Sequence, residues 1–237
     1  MSSTASSRTF ASALVSALLI LTGCASLTPG KLLFEDDFDD GLANWHIEAE
    51  RPGRISATHG VLDIEVPAGV TLWFKPRLEG PIVIEFEATA VAEGGPNDKV
   101  SDLNVFWMAN NVDGRQPVFA RARSGAFAEY NDLLTYYVGL GGNRNSTTRF
   151  RRYIGDPVSR PMLPEHDLAT PAAMLLPNRK QSISLIANGR TIEYRRDGVR
   201  LFQLDDPAPY VNGWFGLRTT FSHLRIRRLR IYALANT

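Results

Sequence analysis

Arg149 and Arg151 stand two residues apart in the run Thr147–Ile154. A guanidinium fork is the side chain best shaped to grip a carboxylate through two parallel hydrogen bonds. If this run is a strand, Phe150 and Ile154 take the inner face, and Arg149, Arg151 and Tyr153 point the other way. The same alternation sets Asp102, Asn104, Phe106 and Met108 against Leu103, Val105 and Trp107. In residues 134–140 it sets Thr135, Tyr137 and Gly139 against Leu134, Tyr136, Val138 and Leu140, with Gly139 leaving room for a close approach to the backbone. In residues 82–89, Ile82, Ile84 and Phe86 turn inward and leave Glu85 and Glu87 outside. Four such runs on one surface would offer carboxylates, an amide, phenols and two guanidiniums, with the Phe106 and Tyr153 rings as stacking platforms. Asn143 and Arg144 would stand at the rim in the polar turn 141–145, and Arg218 beside the last turn.

Three chemistries suit these residue types. The first is cleavage of an acidic polysaccharide by β-elimination. Arg149 and Arg151, helped by Asn104, would neutralise a uronate carboxylate, and Tyr137 or His166 would take the adjacent carbon-bound proton; a nearby arginine would lower the tyrosine pKa. The second is glycoside hydrolysis by Glu85 and Glu87, whose α-carbons would lie roughly 7 Å apart on a strand, a spacing compatible with glycosidase carboxylate pairs. The third is binding without cleavage, with Phe106, Tyr153 and the arginines holding an oligosaccharide or polysaccharide chain. A plainer arrangement uses the same charges: Arg149 and Arg151 pair with Glu85 and Glu87 across strands and stabilise a wet sheet face.

The elements that must position these groups are strands. Apolar runs are short, alternating and bounded by Gly, Pro, Asn or Asp. Asn188-Gly189 and Asp197-Gly198 have the composition of tight hairpin turns. The last strand changes parity between Leu224/Ile226 and Leu229/Ile231, which a β-bulge at Arg227-Arg228 would reconcile. Residues 155–179, rich in proline, read as a long irregular loop with one helical turn near Pro171–Leu175. The pattern predicts a single all-β sandwich.

The chain carries one cysteine, Cys24, directly after Leu21-Thr22-Gly23. Arg8 and the apolar stretch Ala11 to Leu21 precede it, in the manner of a secretory signal. Removing residues 1–23 balances the acidic and basic side chains, so nothing in the charge calls for nucleic acid. With Cys24 acylated, no cysteine remains for a disulfide or a thiolate metal site. The four histidines lie far apart without ligand spacing. The acidic cluster Glu35–Asp40 has oxygen ligands suited to a structural calcium but lacks the spacing of a recognised loop; no cofactor is expected.

Two sets of residues carry resemblances. Leu-Thr-Gly-Cys24 resembles the lipobox of bacterial lipoproteins, and Ala25 after it implies sorting to the outer membrane of a Gram-negative cell. That divides the chain into a signal peptide (1–23), a lipidated tether (24–32) and one domain (33–237). The segment Phe34–Phe38 with Leu42 and Trp45, and the exit Gly213–Gly216 with Ile231-Tyr232, resemble the concanavalin A-like lectin/glucanase superfamily. Residues 102–109, 136–143 and 147–153 are similar to a family of secreted bacterial domains of unknown function, the 6250 type. The resemblance implies a jelly roll of two curved antiparallel sheets with a concave face suited to glycans. Jelly-roll lyases use similar Tyr, His, Arg and Asn sets. The Glu-x-Asp-x-x-Glu run of jelly-roll hydrolases is incomplete here, because Phe86-Glu87-Ala88-Thr89-Ala90 follows Glu85.

Overall fold

The structure, a computed structural model, describes residues 29–114 and 116–234. The signal sequence and Cys24 lie outside the described residues. Sixteen strands form a sandwich of two antiparallel sheets: β1 (Pro29–Asp36), β2 (Trp45–Ala49), β3 (Arg54–Thr58), β4 (Val61–Val66), β5 (Val70–Phe74), β6 (Leu78–Glu79), β7 (Ile82–Ala90), β8 (Leu103–Asn110), β9 (Leu134–Gly141), β10 (Thr147–Ile154), β11 (Asp167–Leu168), β12 (Lys180–Asn188), β13 (Thr191–Arg196), β14 (Val199–Asp205), β15 (Asn212–Thr219) and β16 (Ser222–Leu234). The first sheet runs β14-β13-β12-β7-β16-β4-β3, with β1 added beside β16. The second runs β11-β10-β9-β8-β15-β5-β2, with β6 beside β15. Strand β1 takes in residues 29–32, which the sequence assigns to the tether.

The core lies between the sheets, and period-2 alternation fills it. Ile84, Phe86 and Ala88 of β7 face Trp107, Tyr136, Val138, Phe150 and Phe215 from the second sheet. Both hairpins form. Asp197 and Gly198, at φ +50° and +77°, close the β13–β14 turn. In the β12–β13 turn the two central residues are Gly189 and Arg190, one position later than the sequence suggests, because Asn188 still pairs with Thr191. The β16 bulge lies at the expected place: register shifts between Arg227 and Arg230, and Arg228 adopts φ +54°.

A second bulge is invisible in the pattern. Met108 adopts φ +52°, and the β8–β9 register breaks between Trp107 and Asn110. One extra residue reverses the facing of every later side chain on the strand. Met108 therefore joins Trp107 in the core, and Ala109 turns outward. The segment 155–179 is largely irregular, with a short 3-10 turn at Pro171–Ala173 as expected and, beyond expectation, a second at Pro164–His166 followed by strand β11, which pairs with β10. The acidic cluster is engaged locally. Asp36 accepts from the Phe38 amide and the Trp45 indole, Asp39 accepts from the Gly60 amide, and Glu35 pairs with Arg230. Among the described residues no group of three His, Asp or Glu side chains could hold a metal ion.

Candidate functional site

Strand pairing carries side chains across the outer face of the second sheet in two rows. One reads Arg149, Gly139, Asn104, Arg218, Thr71 and Glu48; the next reads Arg151, Tyr137, Phe106, Gly216, Trp73 and His46. Every strand in these rows contributes its core residues to the opposite face, so burial of one side dictates what the other presents. Two glycines make the packing possible. A Cβ on Gly216 would stand 2.7 Å from the Trp73 ring, and one on Gly139 would stand 2.9 Å from the Tyr137 hydroxyl and 3.2 Å from Asn104 Oδ1.

The β8–β9 connection roofs part of this face. Val118, Tyr130 and Leu133 cover Trp73, Phe106 and Tyr153, all 0% exposed, and form a second apolar cluster outside the sandwich core. Its polar fastenings are specific. Glu48 accepts from Trp73 Nε1 at 3.0 Å and from the Tyr130 hydroxyl at 2.7 Å. The buried Arg123 guanidinium donates to the Glu129 carbonyl at 3.0 Å and to Asn111 Oδ1 at 3.0 Å.

At the edge of the roof the arginines gather. Arg218, 4% exposed, donates to Thr71 Oγ1 at 2.9 Å and to the Gly125 carbonyl at 2.7 Å, and lies 5.0 Å from the Phe127 ring centroid. Arg160 sits 5.8 Å from the same ring and 5.9 Å from that of Tyr153. Arg151 donates to the Arg160 carbonyl at 2.8 Å. Among the described residues none of these three guanidiniums forms an ion pair. Burial, then the Arg160 charge, lowers the pKa of Arg151; burial lowers that of Arg218. Asn104 is 4% exposed, and its Oδ1 has no hydrogen-bond partner, an arrangement that costs free energy until a donor fills it. Burial raises the pKa of Asp102, against hydrogen bonds from Ser101 and Asn104. The Glu50 and Asp102 charges act on Arg218 at longer range, whereas Arg151 feels the Arg160 and Arg149 charges; clustered cations of this kind, in a partly dry setting, are suited to an anion.

The structure brings together Asn104, Tyr137, Arg151 and Arg218, and it separates or buries the other candidates. Glu85 and Glu87 do not share this face. Strand β7 bonds to β12 and β16, so both carboxylates lie on the outer face of the first sheet, where Glu87 pairs with Lys180 at 2.9 Å and Glu85 accepts from Ser184 at 3.4 Å. This removes them as a catalytic pair for this site and as partners for Arg149 and Arg151. His166 is 4% exposed behind β10, packed on Phe150 and Phe202 with Nε2 3.0 Å from the Gln203 carbonyl, so it is no base for the face opposite. Phe106 and Tyr153 are sealed under the roof and offer no stacking surface. Arg149 reaches the face but is held by Asp167 at 2.8 and 3.1 Å. Asn143 bonds to Thr147 in the exposed turn, and Arg144 lines a neighbouring cleft. The Tyr137 pKa goes up, contrary to expectation. Burial and the neighbouring Tyr153 and Asp102 outweigh Arg218 and Arg151.

The residues missed by sequence reasoning are those of the roof, above all Phe127 and Tyr130, together with Glu48, Trp73 and Arg160. A signal existed: the 23 residues between β8 and β9 make a connection far longer than a hairpin needs, and such loops are commonly functional.

A family model described as a domain of unknown function, DUF6250, matches residues 64–229. No curated protein matches the sequence. Among solved structures, a protein of unknown function with a galectin-like fold from Bacillus subtilis aligns with TM-score 0.69 at 15% identity, covering 89% of this chain and 99% of that one. The carbohydrate-binding module CBM66 from Bacillus subtilis aligns with TM-score 0.54 at 11% identity, covering 80% and 96%. An endo-β-1,3-glucanase from Pyrococcus furiosus aligns with TM-score 0.58 at 10% identity, covering 87% and 95%. At these identities the likeness establishes the fold, a concanavalin A-like jelly roll.

Proposed function

The chain belongs to the DUF6250 family, and from that premise we propose that the roofed face of the second sheet binds an acidic polysaccharide without cleaving it. The observation that carries this reading is the trio Arg151, Arg160 and Arg218, none of them in an ion pair, on the face where Arg218 is the strand neighbour of Asn104, whose Oδ1 is unpartnered. A uronate or a sulfated sugar supplies the missing charge, and its hydroxyls donate to the asparagine. Support also comes from the fold's company, since one structural relative is a carbohydrate-binding module and another a glucanase. The test is titration of the full chain with pectic, alginate, ulvan and glucuronan polymers. The reading expects saturable binding to at least one and no release of unsaturated ends absorbing in the ultraviolet. Absence of binding to all four would refute it.

One observation favours β-elimination as a second reading. The Tyr137 hydroxyl lies beside Asn104 in reach of the charges of Arg151 and Arg218, where a proton-abstracting group is needed. Its raised pKa opposes that role, because a base must lose its proton near the working pH. Ultraviolet-absorbing product that disappears in Tyr137→Phe would establish it. We also infer that the chain is exported, acylated at Cys24 and held at the outer membrane, on the strength of the Leu-Thr-Gly-Cys sequence. Loss of membrane association in Cys24→Ala checks this.

A further inference from the structure

The shape of the face says how a chain would enter it. Along the row from β10 to β2, only the β10 end is open: the Arg149 side chain is 33% exposed, whereas Asn104 and Arg218 are each 4% exposed, Thr71 0% and Glu48 3%. Beyond Arg218 the way is shut. The Gly125 carbonyl caps the Arg218 guanidinium, Phe127 lies over it, and Tyr130 is tied to Glu48 behind it. A groove running across the whole sheet, which would accept the middle of a long polymer, does not exist among the described residues. Two residues from Asn104 along β8, Asp102 lines a cleft of about 710 Å³ together with Asp98, Lys99, Ser101, Arg144 and Phe221, among others.

That cleft has features the protein's own packing does not explain. Phe221 is 52% exposed at the β15–β16 turn and adopts φ +49°, a conformation unfavourable for a bulky residue. Among the described residues the Lys99 and Arg144 side chains have no hydrogen bond or ion pair. The two carboxylates of the lining are engaged, Asp98 by His223 and Asp102 by Ser101 and Asn104, so an exposed aromatic ring with two free cations in the same cleft is suited to an anionic sugar, whose apolar face stacks while its acid group pairs.

Resting on the acidic-glycan reading above, we propose that the site takes the end of a chain. The terminal sugar sits against Asn104, Tyr137 and Arg218, and the second sugar lies on Phe221 between Lys99 and Arg144. The closed end admits nothing beyond the terminal unit, and the cleft past Asp102 is the exit for the rest.

The test uses the full chain and size-defined oligomers of whichever of the four acidic polymers binds, from one to six units, followed calorimetrically. Affinity should rise about tenfold from one unit to two and then level off, and polymer binding should scale with the number of ends rather than with mass. Phe221→Ala, at an exposed position, should keep the monosaccharide affinity and abolish the gain at the second unit. Affinity that keeps growing to six units, or binding proportional to polymer mass, would overturn end recognition while leaving the acidic-glycan reading intact. An unchanged ratio of two-unit to one-unit affinity in Phe221→Ala would overturn the second subsite. Failure of all four polymers to bind would overturn this inference together with the reading beneath it.

Discussion

Both outer faces of the sandwich are rich in arginine, and they treat it differently. On the first sheet most of the arginines meet carboxylates; Arg227, for one, meets the Gly60 carbonyl instead. Arg54 reaches Asp63 and Glu65, Arg225 reaches Asp63 and Glu93, Arg230 reaches Glu35, and Arg195 and Arg200 both reach Glu193. On the second sheet Arg151, Arg160 and Arg218 form no ion pair and take rings and carbonyls as direct neighbours, with Glu50 and Asp102 acting on Arg218 at longer range. Paired charges on a wet surface add little stability and keep the sheet soluble. Guanidiniums outside ion pairs and crowded beside a roof are desolvated, and Arg160 repels Arg151, so the fold carries a cost that a bound anion relieves. The difference separates a solvated face from a binding face better than a count of charges does.

The contrast is broken most severely by Arg218→Met. A charge-assisted hydrogen bond is worth about 1.5–3 kcal/mol, so affinity for the acidic glycan should fall roughly ten- to hundredfold. The variant should also melt earlier, since the Gly125 carbonyl loses its donor. Arg151→Met and Arg160→Met, at half-buried positions, should each weaken binding with little change in melting temperature. Raising the salt should weaken binding of the wild type by screening, and should do so less in Arg151→Met. Salt-insensitive binding would point to an apolar contact and erase the distinction between the faces.

A third effect concerns acid stability. Partial burial opposes ionisation of Asp98, but hydrogen bonds from the Gly95 amide, His223 and the Glu93 amide prevail and hold its pKa down at about 2. A carboxylate depressed in the folded state stabilises above its unfolded pKa of about 4 and loses that contribution as pH falls through its folded value. Melting temperatures should therefore drop between about pH 4 and pH 2, and Asp98→Asn should flatten that drop while lowering stability at neutral pH. The smallest effect belongs to the matched face. Arg230→Met should leave the melting temperature nearly unchanged, since an exposed ion pair adds little stability, with glycan affinity unaltered.

Strands, hairpins, the β16 bulge and the jelly-roll class are legible because each is written in short-range alternation and turn chemistry. The face itself is half legible. Parity places Asn104, Tyr137 and Arg151 correctly relative to their own strands, but no local pattern says which strands are neighbours. Alternation alone therefore groups Glu85 and Glu87 with residues of the opposite sheet. A place in a long loop recommends His166, whereas the loop that matters is 111–133, whose Tyr130 and Phe127 act through contacts far away in sequence. The direction of the Tyr137 pKa shift follows from burial first and then from Tyr153 and Asp102, neighbours that parity along one strand does not reveal. Met108 shows the same limit, since a single left-handed residue reverses its facing without any signal in composition.

The most direct test of the unpaired-arginine account is a calorimetric titration, at low salt, of the wild type and of the Arg151→Met/Arg160→Met double variant with the four acidic polymers. The account predicts saturable binding by the wild type to at least one polymer and a loss of at least about tenfold in the folded double variant. Equal affinity of the two proteins, or no binding by the wild type, would contradict it.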